Sequence, residues 1–192
     1  DEVQLVAKSG TVNTISDGTS YTNSDSDNGA IYSKDDLKIK GKGTLVVNGN
    51  CQDGIVCKND LKIYNGNIIV NAVDDAIRGK DSVTVGNVNY TDFSVLSLNV
   101  KSTSGDGIKA TEIDTTTGKG NVTINGGILS ITAYSDGIHA SQVLDVNGGD
   151  ITIETTCPAT TSNSGNTGGW FPGGSTSTTD TAVSAKGLKA GK

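Results

Sequence analysis

The 192-residue chain carries 26 Gly, only 2 Pro, no Met and 4% aromatic residues, with 21 acidic against 15 basic side chains for a formal charge of −6. That balance excludes nucleic acid and anionic membranes as partners, since both need a basic face, and no apolar run approaches the ~18 residues of a membrane span. What remains is a turn-rich, strand-forming composition of a length that suits one domain over residues 1–192.

In chain order, the first patterned segment is Gly29-Ala30-Ile31-Tyr32-Ser33-Lys34, and it returns four times. The copies are Asp53-Gly54-Ile55-Val56-Cys57-Lys58, Asp75-Ala76-Ile77-Arg78-Gly79-Lys80, Asp106-Gly107-Ile108-Lys109-Ala110-Thr111 and Asp136-Gly137-Ile138-His139-Ala140-Ser141. Thr181-Ala182-Val183-Ser184-Ala185-Lys186 reads as a weaker sixth. Successive isoleucines stand 24, 22, 31 and 30 residues apart, a period of about 22 with later insertions. Each copy leads to a second alternating segment: Leu37-Lys38-Ile39, Leu61-Lys62-Ile63, Val83-Thr84-Val85, Val122-Thr123-Ile124 and Leu144-Asp145-Val146. A glycine or Asn-Gly turn follows, then a third segment, as in Thr44-Leu45-Val46-Val47, Ile68-Ile69-Val70 and Ile151-Thr152-Ile153.

Three short strands of period two per repeat, with no helical stretch between them, predict an all-β, right-handed, three-sheet parallel β-helix. One coil cannot bury its inward face, so coils stack and equivalent residues form columns ~4.8 Å apart. Asparagine at the second turn tolerates a left-handed backbone and can hydrogen-bond its counterparts in the coils above and below, while the glycines beside it supply the positive φ. The insertions Asn87–Val95, Glu112–Gly120 and the Thr/Ser/Gly-rich 157–180 are loops, where binding residues concentrate. The chain ends without closing its sixth coil, so further β-helix is expected beyond it, or supplied by another segment. The first residues, Asp1-Glu2-Val3, form neither a basic nor an apolar leader region, so any export signal is expected to have been removed or never included.

The columns suggest the chemistry. Residues after the inward isoleucine should face out: Tyr32, Val56, Arg78, Lys109, His139 and Ser184, with Arg78, Lys109 and His139 as a basic stripe. Beside it lies an acidic column, Asp53, Asp75, Asp106 and Asp136, with Asp74 adjacent. Two carboxylates ~4.8 Å apart repel by roughly 3 to 4 kcal/mol at an effective dielectric of 20. Backbone N–H groups and neighbouring cations could offset this, as could Ca²⁺ held by Asp53, Asp74, Asp75, Asp106 and Asp136, since calcium takes carboxylate oxygens. Asp25 and Asp27 sit in a loop without the spacing of an EF-hand. Lys34, Lys58 and Lys80 ahead of Asp35, Asp36, Asp60 and Asp81 suggest a solvated salt-bridge ladder. Cys51, Cys57 and Cys157 read as thiols rather than a bridge with one left over.

The runs "NAVDDAIRGKDSVTV", "SGDGIKATEI", "INGGILSITAYSDGIHA" and "IYSKDDLKIKGKGTLVVNGNCQDGI" resemble the carbohydrate-binding β-helix proteins of clostridial and other bacterial surfaces. Their fold is similar to that of pectate lyases, especially the family 9 polysaccharide lyases. The resemblance implies a secreted or cell-surface protein that binds cellulose or acidic pectic polymers such as polygalacturonate, with bound calcium and without catalysis. Arg78, Lys109 and His139 would then meet acidic sugars, and Trp170, Phe171 and Tyr134 would stack on pyranose faces. Against the lyases, Asp53 and Asp74-Asp75 resemble part of the calcium site, Arg78 stands where a last aspartate would follow, and Lys109 matches the catalytic lysine. A calcium-dependent lyase using Lys109, or a structural surface adhesin, are the alternatives.

Overall fold

The computed structural model describes residues 1–22, 28–115, 118–157 and 185–191. Six coils of three strands follow one another: β1 (Glu2–Ala7), β2 (Val12–Ser16) and β3 (Gly29–Ser33); β4 (Asp36–Gly41), β5 (Thr44–Gly49) and β6 (Asp53–Cys57). The third and fourth coils are β7 (Asp60–Ile63), β8 (Gly66–Ala72) and β9 (Ile77–Gly79), then β10 (Ser82–Val85), β11 (Leu96–Ser102) and β12 (Ile108–Ala110). The last two are β13 (Asn121–Ile124), β14 (Ile128–Ala133) and β15 (Ile138–Ala140), then β16 (Leu144–Val146), β17 (Asp150–Thr155) and β18 (Leu188–Ala190). Every third strand pairs in parallel, giving three six-stranded sheets, β1-β4-β7-β10-β13-β16, β2-β5-β8-β11-β14-β17 and β3-β6-β9-β12-β15-β18. This is the right-handed parallel β-helix that the repeat predicts.

The columns follow the strand register. Ile31, Ile55, Ile77, Ile108 and Ile138 stack in the third sheet, Leu45, Ile68, Leu98, Leu129 and Ile151 in the second, and Leu37, Leu61, Val83, Val122 and Leu144 in the first. Ile55, Ile77, Ile108, Ile68 and Leu61 are fully buried. Each such side chain contributes about 1.5–3 kcal/mol relative to exposure, and the stacked layers share one continuous core. Cys57, Gly79, Ala110, Ala140 and Ala190 form a small-residue column at the end of the third-sheet strands. All three cysteines are free thiols, with Cys57 buried and Cys51 and Cys157 half-buried.

Several expectations are corrected. A coil begins before the first recognised copy, because β1 and β2 lack the repeated Asp-Gly-Ile signature yet pair in register with β4 and β5. The sixth copy is Lys186-Gly187-Leu188-Lys189-Ala190, since Leu188 pairs with Ile138 and Lys189 with His139; Thr181, Ala182, Val183 and Ser184 lie outside the described residues. Gly187 repeats Gly107 and Gly137, which is the physical reason for this register: a Cβ on Gly137 would run into the Gly187 carbonyl, just as one on Gly107 would meet that of Gly137. Val56 keeps the outward register of Tyr32 and Arg78 but is buried rather than exposed, with Arg78 folding back over that coil to Asp53.

At the second turn, positive φ belongs among the described residues to glycines alone, as at Gly41 and Gly66, where φ is 123° and 116°. The glycines beside the asparagines thus supply the positive φ, as expected, at lower steric cost than a residue with a Cβ. Asn147 does donate to Asn125 at 3.0 Å, as the column picture requires. The surface acids and lysines pair differently from the expected ladder: Lys80 meets Glu112, Lys119 meets Asp81, and Asp60 accepts from Ser82.

Candidate functional site

The acidic column sits where the second sheet turns into the third. Here Asp53, Asp75, Asp106 and Asp136 are all but fully buried, and each carboxylate is divided between two tasks. Its Oδ1 accepts a backbone N–H from the next coil: Asp75 N–H to Asp53 at 3.0 Å, Asp106 N–H to Asp75 at 2.8 Å, Asp136 N–H to Asp106 at 2.8 Å and Lys186 N–H to Asp136 at 2.9 Å. Its Oδ2 takes a cationic or imidazole group, again from the next coil. Arg78 lies 2.6 Å from Asp53, Lys109 3.1 Å from Asp75, His139 3.1 Å from Asp106 and Lys189 2.9 Å from Asp136.

The sequence dictates this staggered pairing. The outward residue stands three positions after its own Asp, and its side chain reaches back one coil, so each coil's base satisfies its neighbour's acid. Lys109 also touches its own Asp106 at 3.0 Å. The repulsion along the column is therefore offset by alternating charge and by backbone donors.

Burial pushes the Asp53 carboxyl up to about 7, against the pull of Arg78 and helped by the nearby Asp75 and Asp74. Burial raises Asp75 as well, against Lys109. At Asp106 burial also acts upward, but it is overcome by the His139 hydrogen bond, Lys109 and the Asp136 N–H, which hold this carboxyl well below the usual carboxylate range. An ionised carboxylate only accepts, so His139 Nδ1 carries the hydrogen in this contact. Burial would lower Lys109, yet Asp75 and Asp106 outweigh it and hold the ammonium charged.

Above the ladder opens a cleft of about 320 Å³, lined among others by Asp74, Lys109, Tyr134, Asp136, His139 and Lys189. Its floor is set by Gly105: a Cβ there would collide with Asp74 and the Asp75 N–H. Ser102 clamps the same turn by donating to the Asp74 carbonyl at 2.7 Å and accepting from Gly105 N–H at 2.9 Å. The structure thus brings Lys109, His139 and Tyr134 together around one cleft, and sets Arg78, the third member of the expected basic stripe, one coil away on Asp53. Trp170 and Phe171 lie outside the described residues. Lys189 was missed by sequence reasoning; the signal was available in "KGLKA", which repeats "DGIKA" with lysine in the acidic column.

Asp53 and Asp75 do not offer calcium an open oxygen cage. The Arg78 guanidinium occupies Asp53 and lies 3.9 Å from Asp75, while Lys109 holds Asp75 from the other side. Asp106, Asp136 and His139 each present a ligand atom within 4.8 Å of the others and could hold a metal ion. Two of these donors already share Lys109 and Lys189, and the third is an imidazole, whereas calcium prefers oxygen.

A family model described as carbohydrate-binding domain-containing protein matches residues 1–192. A carbohydrate-binding domain-containing protein of Acetivibrio thermocellus is 42% identical over 76 residues, covering 38% of this chain and 27% of that protein. The solved structure of a polysaccharide lyase-like protein from C. thermocellum, a gadolinium derivative, superposes with a TM-score of 0.62 at 33% identity, covering 81% of this chain and 64% of that one. The chain therefore spans less than two thirds of either relative.

Proposed function

We propose, since the chain belongs to the family of carbohydrate-binding domain-containing proteins, that the cleft above the acidic column is where it holds a plant cell-wall polysaccharide at the cell surface or outside the cell. The observation that carries this reading is the lining itself: ammonium, imidazole and carboxylate groups set side by side around the half-buried Tyr134. Sugar hydroxyls both donate and accept, so alternating acids and bases suit them, and a tyrosine ring covers a pyranose face.

The charge balance favours a neutral glucan such as cellulose. A uronate carboxylate entering the cleft would face Asp74, Asp75, Asp106 and Asp136 against Lys109 and Lys189. An acidic polymer such as polygalacturonate would need a divalent cation, for which we propose calcium, between its carboxylates and these aspartates. Lyase chemistry gains little support, because Lys109 is held as an ammonium by two carboxylates and a protonated amine abstracts no proton.

Calorimetric titration tests the proposal, using cellohexaose and oligogalacturonate, each with chelator and with added Ca²⁺. The expected result is chelator-independent binding of cellohexaose, weakened in Tyr134→Ala and His139→Ala, and calcium-dependent binding of the acidic oligomer. Binding of either sugar that survives both substitutions unchanged would remove the cleft from the reading.

A further inference from the structure

The Asn87–Val95 insertion, on a different corner of the solenoid, builds a second hollow. It leaves the first-sheet strand β10, turns through a short 3-10 segment at Phe93–Val95 and enters β11. Asn87 and Asp92 hold it in place. Asn87 accepts from Asn89 N–H at 3.0 Å, and its carbonyl takes the Tyr90 N–H at 2.9 Å. Asp92 accepts from both the backbone and the hydroxyl of Ser94, at 2.9 and 2.7 Å. A loop braced by its own Asx turns is a fixed wall rather than a loose strap.

Between this wall and the Asn65–Asn67 turn of the coil below lies an open groove of about 500 Å³, within the range of small-ligand sites. Tyr90 and Val95 present an apolar side, 39% and 38% exposed. Opposite them stand Asn65, Asn67, Ser97 and Lys42. Asn65 spends its Oδ1 on Gly41 N–H at 2.9 Å, and Asn67 its Nδ2 on Thr44 Oγ1 at 3.2 Å. An amide donor on Asn65 and an amide acceptor on Asn67 are left for a ligand. Tyr64 flanks a narrower extension of the hollow, but the Lys38 ammonium already covers its ring, 5.7 Å from the centroid.

Among the described residues no carboxylate lines the groove itself, Asp92 lying only at its narrow extension, and it shares no residue with the cleft above the acidic column. An aromatic ring beside carboxamides and hydroxyls, with one ammonium, is the chemistry of a neutral pyranose: apolar C–H face against the ring, equatorial hydroxyls on the amides.

We infer that Tyr90, Asn65 and Asn67 form a second saccharide subsite, for a neutral sugar stacked on Tyr90, so that one chain engages a glucan at two corners. This rests on the reading of the protein as a carbohydrate binder, and two sites on one scaffold would raise avidity for an insoluble polymer.

The test is calorimetric titration of the full chain with cellohexaose, comparing wild type, Tyr90→Ala, Tyr90→Phe, Asn67→Ala and Tyr134→Ala, each with its melting temperature. The inference expects two equivalents of sugar per chain. Tyr90→Ala should reduce this to one, or weaken one site about tenfold, at an unchanged melting temperature, and Tyr90→Phe should keep both sites. Asn67→Ala, which leaves the loop intact, should weaken the same site. If Tyr134→Ala removes all binding while Tyr90→Ala and Asn67→Ala change nothing, this subsite is overturned and the cleft stands. If Tyr90→Ala removes all binding and Tyr134→Ala changes nothing, the subsite stands and the cleft falls. No binding to wild type overturns both.

Discussion

Lys109 places its ammonium 3.1 Å from the carboxylate of Asp75, a residue of the preceding coil. The cation of one coil thus belongs to the acid of its neighbour, and the same stagger joins Arg78 to Asp53, His139 to Asp106 and Lys189 to Asp136. Coils held only by strand pairing and apolar stacking gain a charged zip along one corner.

Removing one tooth of that zip should be costly. Lys109→Ala leaves Asp75 and Asp106 buried without their shared cation, and breaking a buried pair costs about 3 kcal/mol. Urea unfolding should show this loss, with Lys80→Ala as the control: Lys80 and its partner Glu112 are at the surface, and the midpoint should not move. Equal small effects would mean the ladder is ornament rather than a structural element.

Two rungs should respond to pH with opposite sign. Burial pushes the Asp53 carboxyl up to about 7 in the folded chain, above the ordinary aspartate value of 3.8. The folded state binds the extra proton between those values, so this rung's contribution is present at pH 4 and is lost as pH rises through 7. Asp106 is lowered, so its contribution is present above 3.8 and is lost only as pH falls further. Melting temperatures from pH 3 to 8 should show the decline toward pH 7 flattened in Asp53→Asn. Asp106→Asn should instead lower stability throughout the neutral range.

The core should be strongest in the middle coils. Ile108 is fully buried between Ile77 and Ile138, and Ile108→Ala should cost about 2–5 kcal/mol. Val146 in β16 is 47% exposed, and Val146→Ala should cost well under half as much. Denaturant midpoints on the two variants decide it.

Chelation should leave the fold untouched. Because Arg78 and Lys109 already occupy the carboxylate oxygens of Asp53 and Asp75, treatment with a strong chelator should not change the melting temperature. A drop of several degrees, restored by Ca²⁺, would place a structural ion in the ladder and reverse the assignment of Arg78.

Much of this architecture was legible from the chain alone. A period of about 22 residues with Ile, Leu and Val at alternate places leaves stacking as the one way to bury Ile55, Ile77, Ile108 and Ile138 together, and β-strand pairing then fixes their columns. The acidic column and its basic neighbours were also visible, because register makes equivalent positions adjacent. β1 and β2 escaped because Val3, Leu5 and Ile15 carry the alternation without the Asp-Gly-Ile punctuation that marks the other coils.

What the sequence by itself determined is which residues share a column, since a parallel solenoid converts spacing into adjacency. What only the tertiary structure decided is where each charge goes along that column. Arg78, Lys109 and His139 could have faced solvent, an ion or a sugar, and carboxylates could have gathered calcium. The direction a side chain leans depends on the turn geometry at Gly105 and Gly137 and on which backbone N–H groups reach each Oδ1. Those are distances between coils, and no pattern along one strand encodes them. The groove beside Tyr90 has the same origin: a nine-residue insertion reads as a loop, and only its packing against the Asn65–Asn67 turn makes it a wall.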